Sequence, residues 1–132
     1  MPILNVKVSA IKSPKVSREI AQFLLEITER ILRKKREVTA ITIDYVDHDS
    51  WMIGGQFLSE LHLNSFYFDI TITDETNSKD EKALYIREAF AGFEKILGQL
   101  HETSYVYIQD VRAATYGYGG LTQEYRYHHP LV

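Results

Sequence analysis

The sequence predicts an α+β fold in a single domain, built from two β-α-β units in tandem at residues 1–64 and 65–132. Three observations lead to this prediction. Short segments alternate apolar and polar residues, as a strand with one buried face does. Two longer segments repeat apolar residues every three or four positions, as an amphipathic helix does. The second half of the chain repeats the pattern of the first.

The first unit begins with a predicted strand at residues 2–9 and continues with a helix from Pro14. Ser13 is suited to cap this helix, and a proline costs nothing in its first turn. A second strand follows at residues 39–46, where β-branched residues alternate with others. The apolar stripe expected to face the sheet consists of Val16, Ile20, Leu24, Ile27 and Ile31.

The second unit has the same order of elements. Strands are predicted at residues 65–73 and 104–111, and Ser78 is expected to cap the helix between them. The stripe of this second helix consists of Ile86, Phe90, Phe93, Leu97 and Leu100.

A shift of 65 positions places the first half of the sequence on the second. Ser13 then falls on Ser78, and the run from Trp51 to Gly55 falls on the run from Tyr116 to Gly120. Agreement at a helix cap, a helix end, a strand and paired glycines in one register indicates an internal duplication.

A basic run follows the first helix stripe and consists of Arg30, Arg33, Lys34, Lys35 and Arg36. It has two interpretations, an anion-binding patch or a solvated helix end that complements the negative end of the helix dipole. We favour the helix end.

Composition excludes several classes of function. The net charge of −3 disfavours binding to nucleic acid or to an anionic membrane. Without cysteine, the chain has no disulfide and no thiolate zinc site. The N-terminus lacks a signal-peptide pattern, and no run approaches eighteen apolar residues. We therefore expect a cytoplasmic protein with no nucleic-acid or membrane partner.

The element order β-α-β-β-α-β also fits a ferredoxin-like RNA-binding module. Such a module usually presents a basic sheet face. Acidic and amide residues instead lie in or beside the predicted strands, namely Asp44, Asp69, Asp74, Gln109 and Asp110. This alternative is therefore disfavoured.

The chain starts with Met-Pro, a sequence that normally loses its methionine and would leave Pro2 with a free secondary amine. With Pro2 at the head of the first strand, two aromatic-x-x-Gly-Gly turns and a duplicated β-α-β unit, the sequence resembles the tautomerase superfamily. The closest likeness is to fused members, which join two copies of a 4-oxalocrotonate tautomerase-like unit. The resemblance covers nearly the whole chain.

The resemblance implies a four-stranded mixed sheet backed by two helices, with short hairpins, in a homotrimer that mimics a hexamer of shorter chains. It also implies a keto-enol isomerase in which Pro2 is the general base on a small keto or enol acid, with no cofactor and no metal. Two alternatives remain. One is a hydratase, dehalogenase or decarboxylase with a protonated amine, and the other is a non-catalytic oligomeric binding scaffold.

The sequence departs from the family pattern at the arginines that bind a substrate carboxylate. One family position falls on Lys12 and, in the second half, on Asn77; the other falls on Ala40 and Tyr105. Asn77 matches the position beside the proline and is therefore a candidate substrate-binding residue, although it carries no charge. Carboxylate binding in the usual manner is therefore not expected. Because the second half offers no proline amine, one active site per chain is expected.

Other residues are candidates for the substrate site. Arg112 and Arg126 could replace the missing cations, but the interpretation of each as a solvated surface charge is favoured. Tyr105 and Tyr107 face one side of their strand, and Tyr116 occupies the aromatic position of the second glycine turn. In our alignment Tyr107 matches a tyrosine that fused dehalogenases use to orient water. Interface packing explains the tyrosines equally well.

Two further expectations concern the surface. The sheet face that carries Thr42, Thr71, Tyr105 and Tyr107 is expected to be buried against sister subunits, the alternative being a partly wetted sheet in a monomer. No histidines have the spacing of metal ligands. His128 and His129 are adjacent in a C-terminal tail, where neighbouring residues of an extended chain point apart.

Overall fold

The computed structural model describes residues 2–130. The strands are β1 (Ile3–Val8), β2 (Ala40–Tyr45), β3 (Met52–Ile53), β4 (Gln56–Phe57), β5 (Phe66–Thr73), β6 (Tyr105–Val111), β7 (Gly117–Tyr118) and β8 (Leu121–Thr122). The α-helices are α1 (Pro14–Arg30), α2 (Leu58–Leu61), α3 (Lys79–Leu97) and α4 (Gln123–His128). Short 3-10 helices lie at Arg36–Val38 and His48–Ser50.

The main sheet has four strands in the order β2-β1-β5-β6. β1 is parallel to β2, β5 is parallel to β6, and the two central strands β1 and β5 are antiparallel. The parallel pairs follow from the long helices that connect them, since a parallel connection needs a crossover. The predicted four-stranded mixed sheet with two helices and short hairpins is therefore confirmed, the hairpins being β3–β4 and β7–β8.

Both predicted helix caps are present. Ser13 Oγ accepts a hydrogen bond from the Val16 N–H at 3.3 Å. Ser78 Oγ accepts from the Glu81 N–H at 3.1 Å, and the Glu81 carboxylate accepts from the Ser78 N–H at 2.8 Å, which completes a capping box. The α1 stripe is confirmed at its centre, where Ile20, Leu24 and Ile27 are buried.

The stripe predicted for α3 is wrong at its first member. Ile86 is 41% exposed, and the fully buried residues of α3 are Tyr85, Ala89 and Phe93, one diagonal away. The buried diagonal contains a tyrosine because its hydroxyl lies 2.7 Å from Thr28 Oγ1 of α1. Burial raises the pKa of Tyr85. Apolar periodicity alone does not identify such a polar partner.

Only the first residue of the basic run lies within α1, which ends at Arg30. Arg30 contacts Glu26 and Glu88, each with a shortest N–O distance of 2.6 Å, and Arg33 pairs with Glu81. The interpretation as a helix end is therefore wrong for the residues after Arg30.

Five elements of the second half, α3, β6, β7, β8 and α4, each begin 65 positions after their counterparts α1, β2, β3, β4 and α2. This spacing supports the duplication, and the division into residues 1–64 and 65–132 stays a prediction. The prediction that His128 lies in an extended C-terminal tail is wrong, because Gln123–His128 is helical. Across residues 2–130, no helix combines the length and apolar character that a membrane span requires.

The sheet face opposite the long helices is polar and aromatic rather than aliphatic. Thr42 Oγ1 donates to Asn5 Oδ1 at 3.1 Å, and Asn5 Nδ2 donates to Asp69 Oδ1 at 3.1 Å. Tyr105 and Tyr107 are 62% and 56% exposed on this face. Its covering by sister subunits stays a prediction.

Candidate active site

Pro2 is buried and directly precedes β1. Its carbonyl oxygen accepts a hydrogen bond from the Ala40 N–H at 3.2 Å. The β1–β5 register pairs Ile3 with Thr71, so one further step sets Pro2 opposite Ile72 and beside Thr73, the last residue of β5. Pro2 therefore lies at the end of the sheet where β5 and β6 finish.

Three hydrogen bonds connect other segments of the chain to this end of the sheet. Lys34, which follows α1, donates from Nζ to Thr76 Oγ1 at 2.7 Å. The Tyr116 hydroxyl of the second hairpin lies 2.7 Å from Thr73 Oγ1. The Glu124 N–H of α4 donates to the carbonyl of Ala113, which follows β6, at 2.9 Å. These contacts hold the loops after β5 and β6 against the end of α1 and against α4.

Two neighbouring cavities open here and share Thr73 and Ala113. The Arg112 cavity, of about 480 Å³, is lined in addition by Asp74, Glu75, Arg112, Ala114 and Glu124. The Arg126 cavity, of about 320 Å³, is lined in addition by Thr76, Gln123, Arg126 and Tyr127. Pro2 lines neither cavity. A larger cavity of about 640 Å³ lies between α1 and α3, in the helix layer rather than at this end of the sheet.

The two neighbouring cavities differ in charge. Three carboxylates and one guanidinium line the Arg112 cavity. One guanidinium and no carboxylate line the Arg126 cavity. Because like charges repel at short range, an anion is favoured in the Arg126 cavity over the Arg112 cavity.

Of the predicted site residues, Arg112, Tyr116 and Asn77 lie at the same end of the sheet as Pro2. The amide of Asn77 is engaged there, because Nδ2 donates to the carbonyl of Leu32 at 3.0 Å and to Glu81 Oε1 at 3.3 Å. Asn77 thus ties the end of α1 to the start of α3. A role in substrate binding requires these hydrogen bonds to open.

Within one chain, Tyr105 and Tyr107 lie far from Pro2. They pair with Tyr67 and Asp69 of β5, whereas Pro2 lies opposite Ile72. At about 3.3 Å per residue, these pairings place the tyrosines about 17 Å and about 10 Å along the sheet from the Pro2 position.

Sequence reasoning missed the place of Lys34 in this site. Lys34 is half-buried; this burial and then the charge of Arg33 lower the pKa of its ammonium group, while Asp110 and Glu81 oppose the shift. No signal in the sequence distinguished Lys34 from its basic neighbours, because its contact with Thr76 is long-range.

Sequence reasoning also missed α4, which carries Arg126. Thr122 Oγ1 accepts from the Tyr125 N–H at 2.9 Å, and Glu124 lies in the first turn, so a capping signal was available. Arg126 Nη2 donates to the carbonyl of Tyr118 at 2.9 Å, and its guanidinium carbon lies 3.9 Å from the centre of the Tyr118 ring. Within residues 2–130, its Nε is the one buried side-chain polar atom without a hydrogen-bond partner.

No cluster of three or more potential metal ligands occurs within residues 2–130. His129, which closes α4, lies with Nδ1 3.0 Å from the carbonyl oxygen of Tyr125.

No protein-family model and no curated protein sequence matches the chain. Solved structures match it over nearly its whole length. A wild-type fused 4-OT in an asymmetric trimer has a TM-score of 0.79 at 15% identity, covering 93% of this chain and 97% of the other. Pt0534 inactivated by 2-oxo-3-pentynoate has a TM-score of 0.79 at 11% identity, covering 93% and 98%.

A macrophage migration inhibitory factor (MIF)-like protein from Entamoeba histolytica has a TM-score of 0.75 at 17% identity, covering 92% of this chain and 97% of that protein. Each of these three comparisons covers more than nine-tenths of both chains. The chain therefore has the tautomerase-type fold of fused 4-OT, Pt0534 and the MIF-like protein.

Proposed function

We propose that this chain is a cytoplasmic enzyme of the tautomerase superfamily, a keto-enol isomerase that acts on a small keto or enol acid with the amine of Pro2 as general base. The observation that carries the proposal is the position of Pro2. It is buried at the head of β1, at the sheet end that holds two cavities, in a fold shared with fused 4-OT over 93% of the chain. The amine exists only after removal of Met1.

The proposed reaction needs no group beyond the chain and its substrate. The neutral amine takes a proton from the carbon next to a carbonyl group, and the electron pair of that C–H bond forms a C=C bond as the carbonyl becomes an enolate. A donor at this end of the sheet, such as the Tyr116 hydroxyl, stabilises the oxygen charge. The ammonium then gives the proton to the enolate oxygen, which yields the enol, and the reverse sequence ketonises an enol.

A homotrimer would complete the site. Wild-type fused 4-OT proteins in symmetric and asymmetric trimers share the fold. In this chain β6 is an edge strand, and its exposed Tyr105 and Tyr107 lie far from the Pro2 position of the same chain. We therefore place these tyrosines in the pocket of a neighbouring copy.

A second candidate function uses a protonated Pro2 amine as an acid, in hydration, dehalogenation or decarboxylation. The observation that favours it is the set of three carboxylates, Asp74, Glu75 and Glu124, that line the Arg112 cavity at the Pro2 end of the sheet, because negative charge favours the ammonium form of an amine. The pH dependence of kcat/KM separates the two candidates. A rate that rises with pH supports the base, and a rate that falls with pH supports the acid.

The experiment combines intact-mass measurement with covalent labelling. Protein from the native host is expected to lack the mass of Met1. Treatment with 2-oxo-3-pentynoate, which inactivates Pt0534, is then expected to add the whole mass of the reagent to the peptide that starts at Pro2. The amine nitrogen bonds to an alkyne carbon, and its proton moves to the adjacent carbon.

The control is a chain extended at its N-terminus, in which the Pro2 nitrogen is an amide. It is expected to take no label. Retention of Met1 in the native protein, or equal labelling of the extended chain, would contradict the proposal.

A further inference from the structure

We infer that Arg126 and Lys34 bind the carboxylate group of the substrate in the Arg126 cavity, in place of the arginines that the sequence lacks. The inference rests on the proposed function for the identity of the substrate. It assigns a binding role to two side chains from α4 and from the turn after α1.

Arg126 has unused hydrogen-bonding capacity inside the protein. Its Nη2 bonds to the carbonyl of Tyr118, and the Tyr118 ring covers one face of its guanidinium group. Its Nε is buried and, within residues 2–130, has no partner. This enclosed Nε is out of reach of a ligand, so a carboxylate in the cavity would accept hydrogen bonds from the terminal nitrogens of Arg126, which lines that cavity.

Lys34 does not line the same cavity but supplies a second positive charge next to it, through its contact with the lining residue Thr76. Its Nζ donates to Thr76 Oγ1 at 2.7 Å, and Thr76 Oγ1 donates to the carbonyl of Thr73 at 2.6 Å. The hydroxyl of Thr76 therefore faces Lys34 with a lone pair, and the ammonium group retains two further N–H donors. Thr73 and Thr76 both line the cavity.

The two carboxylates whose charge acts on Lys34 have cations of their own. Asp110 pairs with Lys82 at 2.7 Å, and Glu81 pairs with Arg33. Lys34 is thus the surplus cation of this group. Its partial burial removes water from the charge, and the lowered pKa of the ammonium group has the same cause. A substrate anion would replace the lost hydration.

The neighbouring Arg112 cavity is a poorer place for an anion. Asp74, Glu75 and Glu124 line it together with Arg112. Bringing a fourth carboxylate there adds repulsion from three like charges against attraction to one cation. The charge pattern therefore selects the Arg126 cavity over the Arg112 cavity.

The test is a binding measurement that does not depend on turnover. Trimethylpyruvate is a 2-oxo acid without a proton next to its carbonyl on the alkyl side, so it can bind but cannot enolise. Its affinity for the whole protein is measured by calorimetric titration. Lys34→Met and Arg126→Gln are each expected to weaken binding at least tenfold, and Arg126→Lys, which keeps the charge, is expected to weaken it less than Arg126→Gln.

The matched controls are Lys35→Met and Arg87→Gln, which remove an exposed cation of the same type. Both are expected to change the affinity less than twofold. The methyl ester of trimethylpyruvate is expected to bind weakly to the parent protein and no more weakly to the variants. Thermal unfolding of each variant checks that the fold is kept, and Arg126→Lys provides a measurement if Arg126→Gln fails to fold.

The inference is overturned if Lys34→Met and Arg126→Lys bind the acid as the parent protein does, if Arg112→Gln alone causes the loss, or if the parent protein does not bind the acid. Failure of the proposed function gives a different result. In that case the parent protein binds trimethylpyruvate through Arg126 and Lys34 but does not isomerise an enol acid.

Discussion

The hydroxyl of Tyr116 lies 2.7 Å from Thr73 Oγ1, which fastens the second glycine hairpin to the last residue of β5. Thr73 also lines both cavities at the Pro2 end of the sheet. A tyrosine that the sequence placed in a turn is thus held next to the proposed reaction site.

Replacing Tyr116 by phenylalanine is expected to lower kcat/KM for an enol acid about tenfold, since the oxygen of the reacting carbonyl loses a donor. Thr73→Val removes the same hydrogen bond but keeps the hydroxyl of Tyr116, and it is expected to cost less activity. Each variant should lose about 1 kcal/mol of stability. Equal kcat/KM for Tyr116→Phe and the parent protein would exclude the role.

Alanine substitutions at Gly119 and Gly120 distinguish the effect of backbone strain from the effect of displacing Arg126. Both have positive φ, +63° and +80°, but a Cβ at Gly119 would lie 2.8 Å from Arg126 Nη2, whereas a Cβ at Gly120 meets open space. Alanine at either position is expected to destabilise the protein by about 1 kcal/mol. Only Gly119→Ala should also weaken the binding of trimethylpyruvate. Equal binding by the two variants would argue against the role of Arg126.

The buried contact between Thr28 and Tyr85 joins α1 to α3, and both side chains are at most 1% exposed. Tyr85→Phe is expected to lower the free energy of unfolding by about 1–2 kcal/mol, because the hydroxyl of Thr28 loses its partner. The double variant Thr28→Val/Tyr85→Phe should lose less than the sum of the single losses. Urea unfolding measures both, with Tyr125→Phe as an exposed control; additive losses would show that the two hydroxyls do not interact.

Acid is expected to weaken the link between Arg33 and Glu81. The hydrogen bond from Arg33 and that from the Ser78 N–H lower the pKa of the Glu81 carboxyl to about 2 from its ordinary value of 4.5. Because the pKa of Glu81 is lower in the folded state, its ionised carboxylate stabilises the folded protein above pH 4.5. That contribution is lost as the pH falls toward 2. Between these values the unfolding temperature should fall more steeply for the parent protein than for Glu81→Gln, while Glu102→Gln should follow the parent. Parallel curves for parent and Glu81→Gln would contradict this assignment.

Much of the fold could be predicted from the sequence because its signals are local. The serine caps, the proline in the first helical turn and the alternating strands report conformations set by near neighbours. The choice between Tyr85 and Ile86 as the buried diagonal of α3 depends instead on Thr28, which is far away in the sequence. Helix α4 was missed because its aromatic and charged residues carry no apolar stripe.

The candidate site was predictable only in part, for a similar reason. Pro2, Arg112 and Tyr116 follow or precede strand ends that the antiparallel pairing of β1 and β5 brings together. The same pairing places Tyr105 and Tyr107 at a distance from Pro2, and strand register is a property of the assembled sheet rather than of one segment. Lys34 joins the site through a contact across 42 positions.

The amine of Pro2 is the proposed catalyst, and the rate at which Pro2→Ala ketonises phenylenolpyruvate tests this role. The parent protein, once its mass shows that Met1 is absent, is expected to accelerate ketonisation. The variant should retain the circular dichroism spectrum and assembly state of the parent and fall to the uncatalysed rate or close to it. Ketonisation by Pro2→Ala at the rate of the parent protein would contradict the account.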